Sequence, residues 1–347
     1  MIHVIRKIKN KLISLLHKTT VIKEKLIMQW VKSNMAETEA MFRSQQHAII
    51  SGNYKLYDKK RGDTHRVVCY MSDGTVGEGL ADRLRTILTS FVFAEVHGRP
   101  FYLFHDKDFK LEEYLEPNEV DWRIEREEIN FGLNRVAFVF HWRGRTPVLK
   151  YPEREYHMYA AQTLVNLSTP QELSDKYTDG KVFRKLFKLS DGLANKVDGL
   201  MKSVGLKENE YIVFHLRFLN FFDQVEIDGE VTSTPEEREQ MLKRVHATIG
   251  IVRAQWGDKK ILLFSDSPTF LSAPHPDYIQ VLPGKVGHVA KHGKNSEVVE
   301  KTFLDLIIMS RAATVYSIIG PNIYGGGFSR EAALIADKPY EKIPLLV

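Results

Sequence analysis

Hydrophobic and polar residues alternate most regularly in the second half of the chain. Short apolar runs at residues 211–217, 260–266, 278–282 and 314–319 predict buried strands. Residues 235–256, 297–310 and 330–336 repeat apolar side chains every three or four positions, which predicts helices. Strands that alternate with helices in this way are typical of a parallel sheet covered on both faces. We therefore predict an α/β domain over residues 208–347.

A second alternation occupies the first half of the chain. Residues 67–71 predict a strand, residues 80–96 a helix that ends before Gly98, and residues 101–104 another strand. This order is that of a βαβ unit. A third strand is expected at residues 136–140, and residues 158–200 have a largely helical pattern. The pattern predicts a separate α/β domain over residues 64–200.

The N-terminal segment, residues 1–45, has a pattern of its own. Its apolar residues share one helical face, namely Ile5, Ile8, Leu12, Leu15, Ile22, Leu26 and Trp30. Residues 1–32 hold eight basic side chains and one acidic one. This segment is therefore more positive than the whole chain, whose formal net charge is +5. A basic amphipathic helix with a Trp is typical of a segment that lies on an anionic membrane surface. The alternative is a helix packed on the body of the protein or on a partner.

Composition narrows the class of protein. The chain is 43% hydrophobic and 27% charged, as expected for a soluble globular protein with a large core. Its single cysteine, Cys69, excludes an internal disulfide framework and a four-cysteine zinc site, and fits a reducing cytoplasm. The slightly acidic body does not favour nucleic-acid binding. We expect a cytoplasmic protein, peripheral at the inner face of the membrane if its first helix binds lipid.

Candidate chemistry lies where the predicted strands of the second domain end. His215 and Arg217 close one strand, and Ser265 and Asp266 close the next. Ligands of open α/β sheets bind at this edge, and an arginine fork suits a diphosphate. Solvated strand ends are the structural alternative.

A glycine triplet before the last predicted helix offers a second anion-binding element. Gly326 and Gly327 let main chain approach a phosphate closely, and N–H groups at a helix start attract anions. Phe328 and Ser329 follow, and they would close over a ligand and add a hydroxyl donor. Most glycine clusters are simple turns. Combined with Arg217, however, the triplet predicts a site for a nucleoside diphosphate.

Other nucleotide and metal motifs are not supported. The sequence has no Walker motif, and the turn Gly77-Glu78-Gly79 lacks the third glycine of a dinucleotide fingerprint. His275, His288 and His292 lie in a Pro/Gly-rich loop without nearby cysteine or ordered carboxylates. We therefore expect neither a metal nor a cofactor.

Four stretches resemble one family. G-E-G-L-A-D-R-L-R (residues 77–85), V-F-H-L-R (213–217), L-L-F-S-D (262–266) and G-G-G-F-S-R-E-A-A (325–333) occur in the order seen in GDP-fucose-dependent fucosyltransferases. That superfamily includes α1,2-, α1,6- and protein O-fucosyltransferases. The resemblance implies a GT-B-type fold, with two Rossmann-like domains facing a cleft. It also implies GDP-fucose as donor, inversion at the anomeric carbon and no required metal.

The resemblance assigns roles by position. Arg217 would hold the diphosphate, His215 would line the donor pocket, and Asp266 would lie near the guanine or ribose. Phe328 and Ser329 would close over the phosphates. Many family members continue the His-x-Arg motif with a second Arg and an acidic residue, whereas this chain has Phe218 and Leu219. That departure leaves the subfamily and the donor sugar open.

The loop of residues 77–79 would face the acceptor. In some protein O-fucosyltransferases a Glu in a similar loop acts as base, which points to Glu78. Such a carboxylate would take the acceptor proton while Arg217 and the helix N–H groups stabilise the leaving diphosphate. The structural alternative for Glu78 and Asp82 is stabilisation of a helix start. Arg83 and Arg85 would position acceptor or phosphate, or be solvated.

Three functional hypotheses follow. The first is an enzyme that transfers fucose to a cell-surface glycan or to a lipid-linked precursor in polysaccharide biosynthesis. The second keeps the fold and changes the nucleotide sugar. The third is a catalytically silent protein that binds a nucleotide sugar, which the missing second Arg after Arg217 favours.

Overall fold

The computed structural model describes residues 53–72 apart from 56, 60 and 61, then 79–139, 149, 151–159, 176–224 and 230–346. The predicted amphipathic helix of residues 1–45 lies outside these residues, as do Gly77 and Glu78 of the predicted acceptor loop. None of the described helices is long and apolar enough to cross a bilayer.

The first half of the chain forms a four-stranded sheet. Its elements are β1 (Val67–Met71), α1 (Leu80–Val96), β2 (Phe101–His105), β3 (Leu115–Pro117), β4 (Val136–Val139), β5 (Glu155–Met158), α2 (Asp179–Leu186), β6 (Phe187–Leu189) and α3 (Asp191–Ser203). Single 3-10 turns occur at Leu111–Glu113 and Arg126–Glu128. The sheet has the order β2-β1-β5-β4 with every pair parallel, and β3 pairs with β6 antiparallel.

The second half forms a five-stranded parallel sheet. Its elements are β7 (Tyr211–Leu216), α4 (Pro235–Arg253), β8 (Lys260–Ser265), α5 (Pro268–Leu271), β9 (Ile279–Val281), α6 (Val289–His292), α7 (Ser296–Ser310), β10 (Thr314–Ile319), α8 (Gly327–Leu334) and β11 (Tyr340–Pro344). The order is β11-β10-β7-β8-β9. Two parallel α/β sheets confirm the predicted fold class, while the domain limits at 64–200 and 208–347 stay predictions.

Local sequence explains why the central elements form where they do. All six residues of β7 are buried, as an apolar run in the middle of a parallel sheet requires. Helix α4 begins with Pro235 and a capping box, in which Thr234 and Glu237 each bond to the other's backbone N–H. These signals determine where β7 lies and where α4 begins.

The two halves are joined by a continuous apolar core. One cluster of buried residues includes Leu84 and Ile87 of α1 together with Leu306 of α7. At the junction the rings of Tyr114 and Phe303 stack at a centroid distance of 4.3 Å and an angle of 5°. Helix α1 also packs against α8. This packing brings the start of α1 next to the strand ends of the second sheet.

Three predictions of secondary structure were wrong or incomplete. The largely helical pattern at residues 158–200 is interrupted by β6, and β5 just before it went unrecognised because Glu155 and His157 interrupt its apolar pattern. The last helix begins at Gly327 rather than at residue 330, so Gly327, Phe328 and Ser329 of the glycine-rich stretch (residues 325–329) form its first turn. The edge strand β11 was missed because Glu341 and Lys342 give it an exposed, polar sequence.

Candidate active site

A cavity lies between the two halves of the chain. From the first half it is lined by Gly79, Leu80, Ala81, Asp82 and Arg85. From the second half the lining is His215, Arg217, Phe264, Ser265, Asp266, Val286, Gly287, His288, Val289, Lys301, Thr302, Asp305, Met309, Gly326, Gly327 and Phe328. The ends of β7 and β8, the start of α8 and the start of α1 therefore meet at this cavity.

Arg217 lies directly against the glycine-rich stretch. Its backbone carbonyl accepts a hydrogen bond of 2.8 Å from the N–H of Tyr324. A Cβ placed on Gly326 would lie 3.2 Å from Cδ of Arg217 and 3.8 Å from Cε1 of His215. The strand-end residues and the glycines, which are far apart in sequence, thus form one wall.

The start of α8 lines this cavity and has no side-chain cap among the described residues. Gly326 is its N-cap residue. The first N–H groups of a helix have no acceptor within the helix, so together with the dipole they favour an anion. Gly327 and Phe328 of the first turn line the cavity. Ser329, predicted to add a hydroxyl donor, is fully buried and does not belong to the lining, and its Oγ has no hydrogen-bond partner among the described residues.

His215 enters the cavity as a neutral side chain. Burial, and to a lesser extent the charge of Arg217, lower the pKa of His215 to about 4. Its Nδ1 atom has no hydrogen-bond partner among the described residues, although it is buried. The ring lies 6.1 Å from that of Phe328, measured between centroids. A neutral imidazole with an unused nitrogen can hydrogen-bond a ligand without adding charge.

Asp266 shapes the turn that follows Arg217. Its carboxylate accepts hydrogen bonds from the N–H groups of Phe218 (2.8 Å) and Leu219 (3.1 Å). Leu219 has a positive φ of 54°, so this turn needs such support. Burial raises the pKa of Asp266, and the backbone hydrogen bonds oppose that shift. Ser265 also lines the cavity, and its Oγ accepts from the N–H of Ser267.

Phe218 lies in the core rather than in the cavity. It is 1% exposed, and its ring centroid lies 4.7 Å from those of both Phe222 and Phe270. Phe221 completes this group. The position where many fucosyltransferases have a second Arg therefore contributes apolar packing beside Arg217 and no charge.

The cavity contains an ion pair that the sequence did not predict. Lys301 Nζ and a carboxylate oxygen of Asp305 are in contact, and their side chains are only 6% and 13% exposed. Burial raises the pKa of Asp305, which the charge of Lys301 opposes. The sequence feature that could have predicted this ion pair is the spacing of two opposite charges four residues apart on α7, a helix that is otherwise largely apolar.

The residues predicted on the acceptor side have different positions. Gly79 and Asp82 line the cavity, and Asp82 forms an ion pair with Arg85. Arg83 does not line it: its side chain is 1% exposed, pairs with Asp108 and donates to the carbonyl of Lys107 at 2.9 Å. Successive residues of α1 point in different directions, which separates Arg83 from its neighbours.

The three histidines of the Pro/Gly-rich loop, His275, His288 and His292, do not form one cluster. His288 lies beside Gly79 at the cavity, with Nε2 3.6 Å from where a Cβ on that glycine would be. His275 instead contacts His246, at 2.9 Å between ring nitrogens. Within the described ranges, no three His, Cys, Asp or Glu side chains cluster as metal ligands.

Comparison with known proteins gives matches in structure alone. No protein-family model matches the sequence, and no curated protein matches it. Fucosyltransferase NodZ from Bradyrhizobium superposes with a TM-score of 0.50 at 15% identity, over 80% of this chain and 94% of that one. NodZ α-1,6-fucosyltransferase co-crystallised with GDP gives 0.50 at 17% identity, over 80% and 93%.

A plant enzyme gives a similar result. The structure of Arabidopsis thaliana FUT1, a mutant in complex with GDP, superposes with a TM-score of 0.51 at 11% identity, over 93% of this chain and 79% of that one. Similarity at these identities is similarity of fold. The chain therefore has the two-domain, GT-B-type fold found in these fucosyltransferases.

Proposed function

We propose that the protein is a glycosyltransferase that transfers fucose from GDP-fucose to a hydroxyl group of a glycan. The observation that carries this proposal is the contact between Arg217 and Gly326 at the start of α8, inside the cavity between the halves. An arginine beside uncapped helix N–H groups provides charge-assisted hydrogen bonds suited to a diphosphate. Two of the structurally similar fucosyltransferases were crystallised with GDP, which supports this donor.

The base of the nucleotide finds complementary groups on α7. The buried pair Lys301 and Asp305 offers a cationic donor and a carboxylate acceptor in the same cavity. Guanine presents a carbonyl acceptor, O6, and an amino donor, N2. The pair therefore favours guanine over bases that lack either the carbonyl acceptor or the amino donor. We therefore place the base toward α7 and the diphosphate toward Arg217.

The two sides of the cavity have different roles in the transfer reaction. Arg217 and the N–H groups of α8 stabilise negative charge as the diphosphate leaves. A carboxylate on the opposite side takes the proton of the acceptor hydroxyl, which attacks the anomeric carbon from the face opposite the leaving group. This one-step displacement inverts the sugar. Glu78 is the proposed base because it immediately precedes Gly79, which lines the cavity.

Asp82 is the competing candidate for the base, since its side chain is 42% exposed and lines the cavity. Glu78→Gln and Asp82→Asn separate the two. The variant that has lost the base retains GDP affinity but loses transfer, because general-base catalysis contributes roughly 10²–10⁴-fold. Transfer that survives both substitutions contradicts a carboxylate base at this loop.

A nucleotide panel tests the donor assignment. We expect GDP to raise Tm more than UDP, ADP or CMP do, since a ligand that binds only the folded state stabilises it. A stronger shift by UDP or ADP points to another nucleotide sugar. Stabilisation by GDP without transfer or hydrolysis of GDP-fucose supports the catalytically silent protein, which the absence of a second Arg at position 218 favours. No shift with any nucleotide overturns the donor site.

The proposed class of acceptor is based on the sequence of the N-terminal segment. Its basic amphipathic sequence supports a cytoplasmic enzyme held at an anionic membrane surface, where a lipid-linked or cell-surface glycan precursor is accessible. Deletion of residues 1–34 should release the protein from anionic vesicles and leave its GDP-induced Tm shift intact. Continued sedimentation with the vesicles contradicts this anchor.

A further inference from the structure

We propose that Arg85, from the first half of the chain, is a second ligand of the donor diphosphate and contacts its β-phosphate. The inference rests on the donor site proposed above and extends it to a residue outside the second sheet. Arg85 thereby supplies the positive charge that Phe218 does not provide.

The position of Arg85 against α8 carries the inference. A Cβ placed on Gly327 would lie 2.7 Å from Nη1 of Arg85 and 3.3 Å from its Cζ and Nη2. The neighbouring Gly326 has the same relation to Arg217, at 3.2 Å from Cδ. Two arginines from different halves of the chain therefore converge on two consecutive glycines at the start of one helix.

This arrangement is electrostatically unfavourable without an anion. The N-terminal end of a helix carries partial positive charge, so cations are destabilising there. Arg85 and Arg217 both line the cavity at that end of α8. Fixed positive charges gathered in a partly buried cleft indicate a negatively charged ligand that binds there.

Nearby acidic groups compensate this charge only in part, because Asp305 of the same lining pairs with Lys301 and Asp266 accepts hydrogen bonds from two backbone N–H groups. Asp82 pairs with Arg85, yet the Nε of Arg85 is buried without a hydrogen-bond partner among the described residues. Glu331 is the next acid on α8, and burial, reinforced by Asp179, raises its pKa to about 8. Glu331 is therefore mostly uncharged at neutral pH. Arg85 retains donor capacity for a phosphate.

We assign Arg85 to the β-phosphate because Arg85 lies on the side of the cavity that the first half of the chain forms. Helix α1 belongs to that half, where the acceptor is expected. The β-phosphate is the phosphate bonded to the transferred sugar, so it lies nearer to the acceptor than the α-phosphate does. Arg85 would stabilise the charge that develops on this group as the sugar–phosphate bond breaks.

Titration calorimetry with GDP and GMP tests this inference, because GMP lacks the β-phosphate. We expect Arg85→Ala to weaken GDP about 10-fold or more, as for a lost charge-assisted contact. GMP affinity should remain within about 2-fold of the wild-type value. Arg85→Lys should recover part of the loss, since Lys retains the charge without the fork.

Arg184→Ala provides the matched control. Arg184 donates to Asp337 at 2.7 Å, an ion pair that also joins the two halves but does not line the cavity. Its loss should leave the GDP-to-GMP ratio unchanged. Equal weakening of both nucleotides by Arg85→Ala, or no weakening, overturns the role of Arg85 while the donor site stands. A wild-type protein that binds neither nucleotide overturns the donor site itself.

Discussion

Gly326 and Arg217 lie in contact at the wall of the cavity, and a Cβ on Gly326 would come within 3.2 Å of Cδ of Arg217. The backbone of Gly326, with φ of −69° and ψ of 156°, is one that any residue adopts. Conformation therefore does not require glycine at this position. A side chain at this position would instead crowd the arginine side chain, which would have to shift.

Gly326→Ala should consequently weaken GDP binding several-fold without destabilising the fold. The added methyl group displaces Arg217, whereas removal of a glycine reduces the entropy of the unfolded chain by about 0.4–1 kcal/mol in favour of folding. Calorimetry and thermal unfolding measure the two effects separately. Gly199→Ala on α3 is the matched control, because no atom lies within 4 Å of its added Cβ. Equal GDP affinity in both variants contradicts the contact.

Arg217→Lys should weaken GDP by about 10- to 100-fold, in the range of a hydrogen bond to a charged group. Lys retains the charge but not the two-pronged geometry. Arg244→Lys is a control in the same half, since Arg244 donates to the carbonyl of Leu346 and lies outside the cavity lining. Calorimetry that shows the same affinity for Arg217→Lys as for the wild type removes this residue from the diphosphate.

Asp266→Ala should destabilise the protein by about 1–3 kcal/mol, because it leaves the N–H groups of Phe218 and Leu219 without their acceptor. GDP affinity should fall as well, since this turn positions Arg217. Asp266→Asn retains one acceptor oxygen and should lie between the two. Denaturant unfolding with and without GDP checks both effects. If unfolding is unchanged while GDP affinity falls, Asp266 contacts the nucleotide and does not support the turn.

The sequence predicted the second sheet well, for a physical reason. Strands such as β7 are apolar on both faces, and their polar residues begin where the sheet meets the cavity. The same short sequence therefore indicates both the strand and the site. The structure also brings Arg217 next to the glycine triplet, as the sequence predicted. The role of each residue toward a nucleotide stays a prediction.

The sequence did not predict features that depend on contacts between distant segments. Strand β5 contains Glu155 and His157, whose polarity is satisfied by each other and by Arg66, so its pattern lacks the apolar signature. Arg83 and Arg85 look equivalent in sequence, yet one is buried against Asp108 and the other reaches α8. Side-chain direction on α1 and the position of its neighbours decide between them.

Glu331 gives a pH-dependent prediction. Both of its carboxylate oxygens are buried without a hydrogen-bond partner among the described residues, and burial raises its pKa from 4.5 to about 8. The folded protein therefore holds a proton that the unfolded chain releases between these values. Stability due to this group is present below pH 4.5 and is lost as pH rises toward about 8.

Glu331→Gln removes this titration and keeps the shape of the side chain. The Tm of the variant should match that of the wild type near pH 5 and exceed it by a growing margin up to pH 8. A margin of several degrees is expected, since one kcal/mol shifts Tm by about 2–4 °C in domains of roughly 150–250 residues. Glu119→Gln, at an exposed carboxylate, should show no such trend. Parallel pH profiles for Glu331→Gln and the wild type would mean that Glu331 is charged in the folded protein. Its charge would then balance that of Arg85, and the argument from uncompensated charge at the start of α8 would fail.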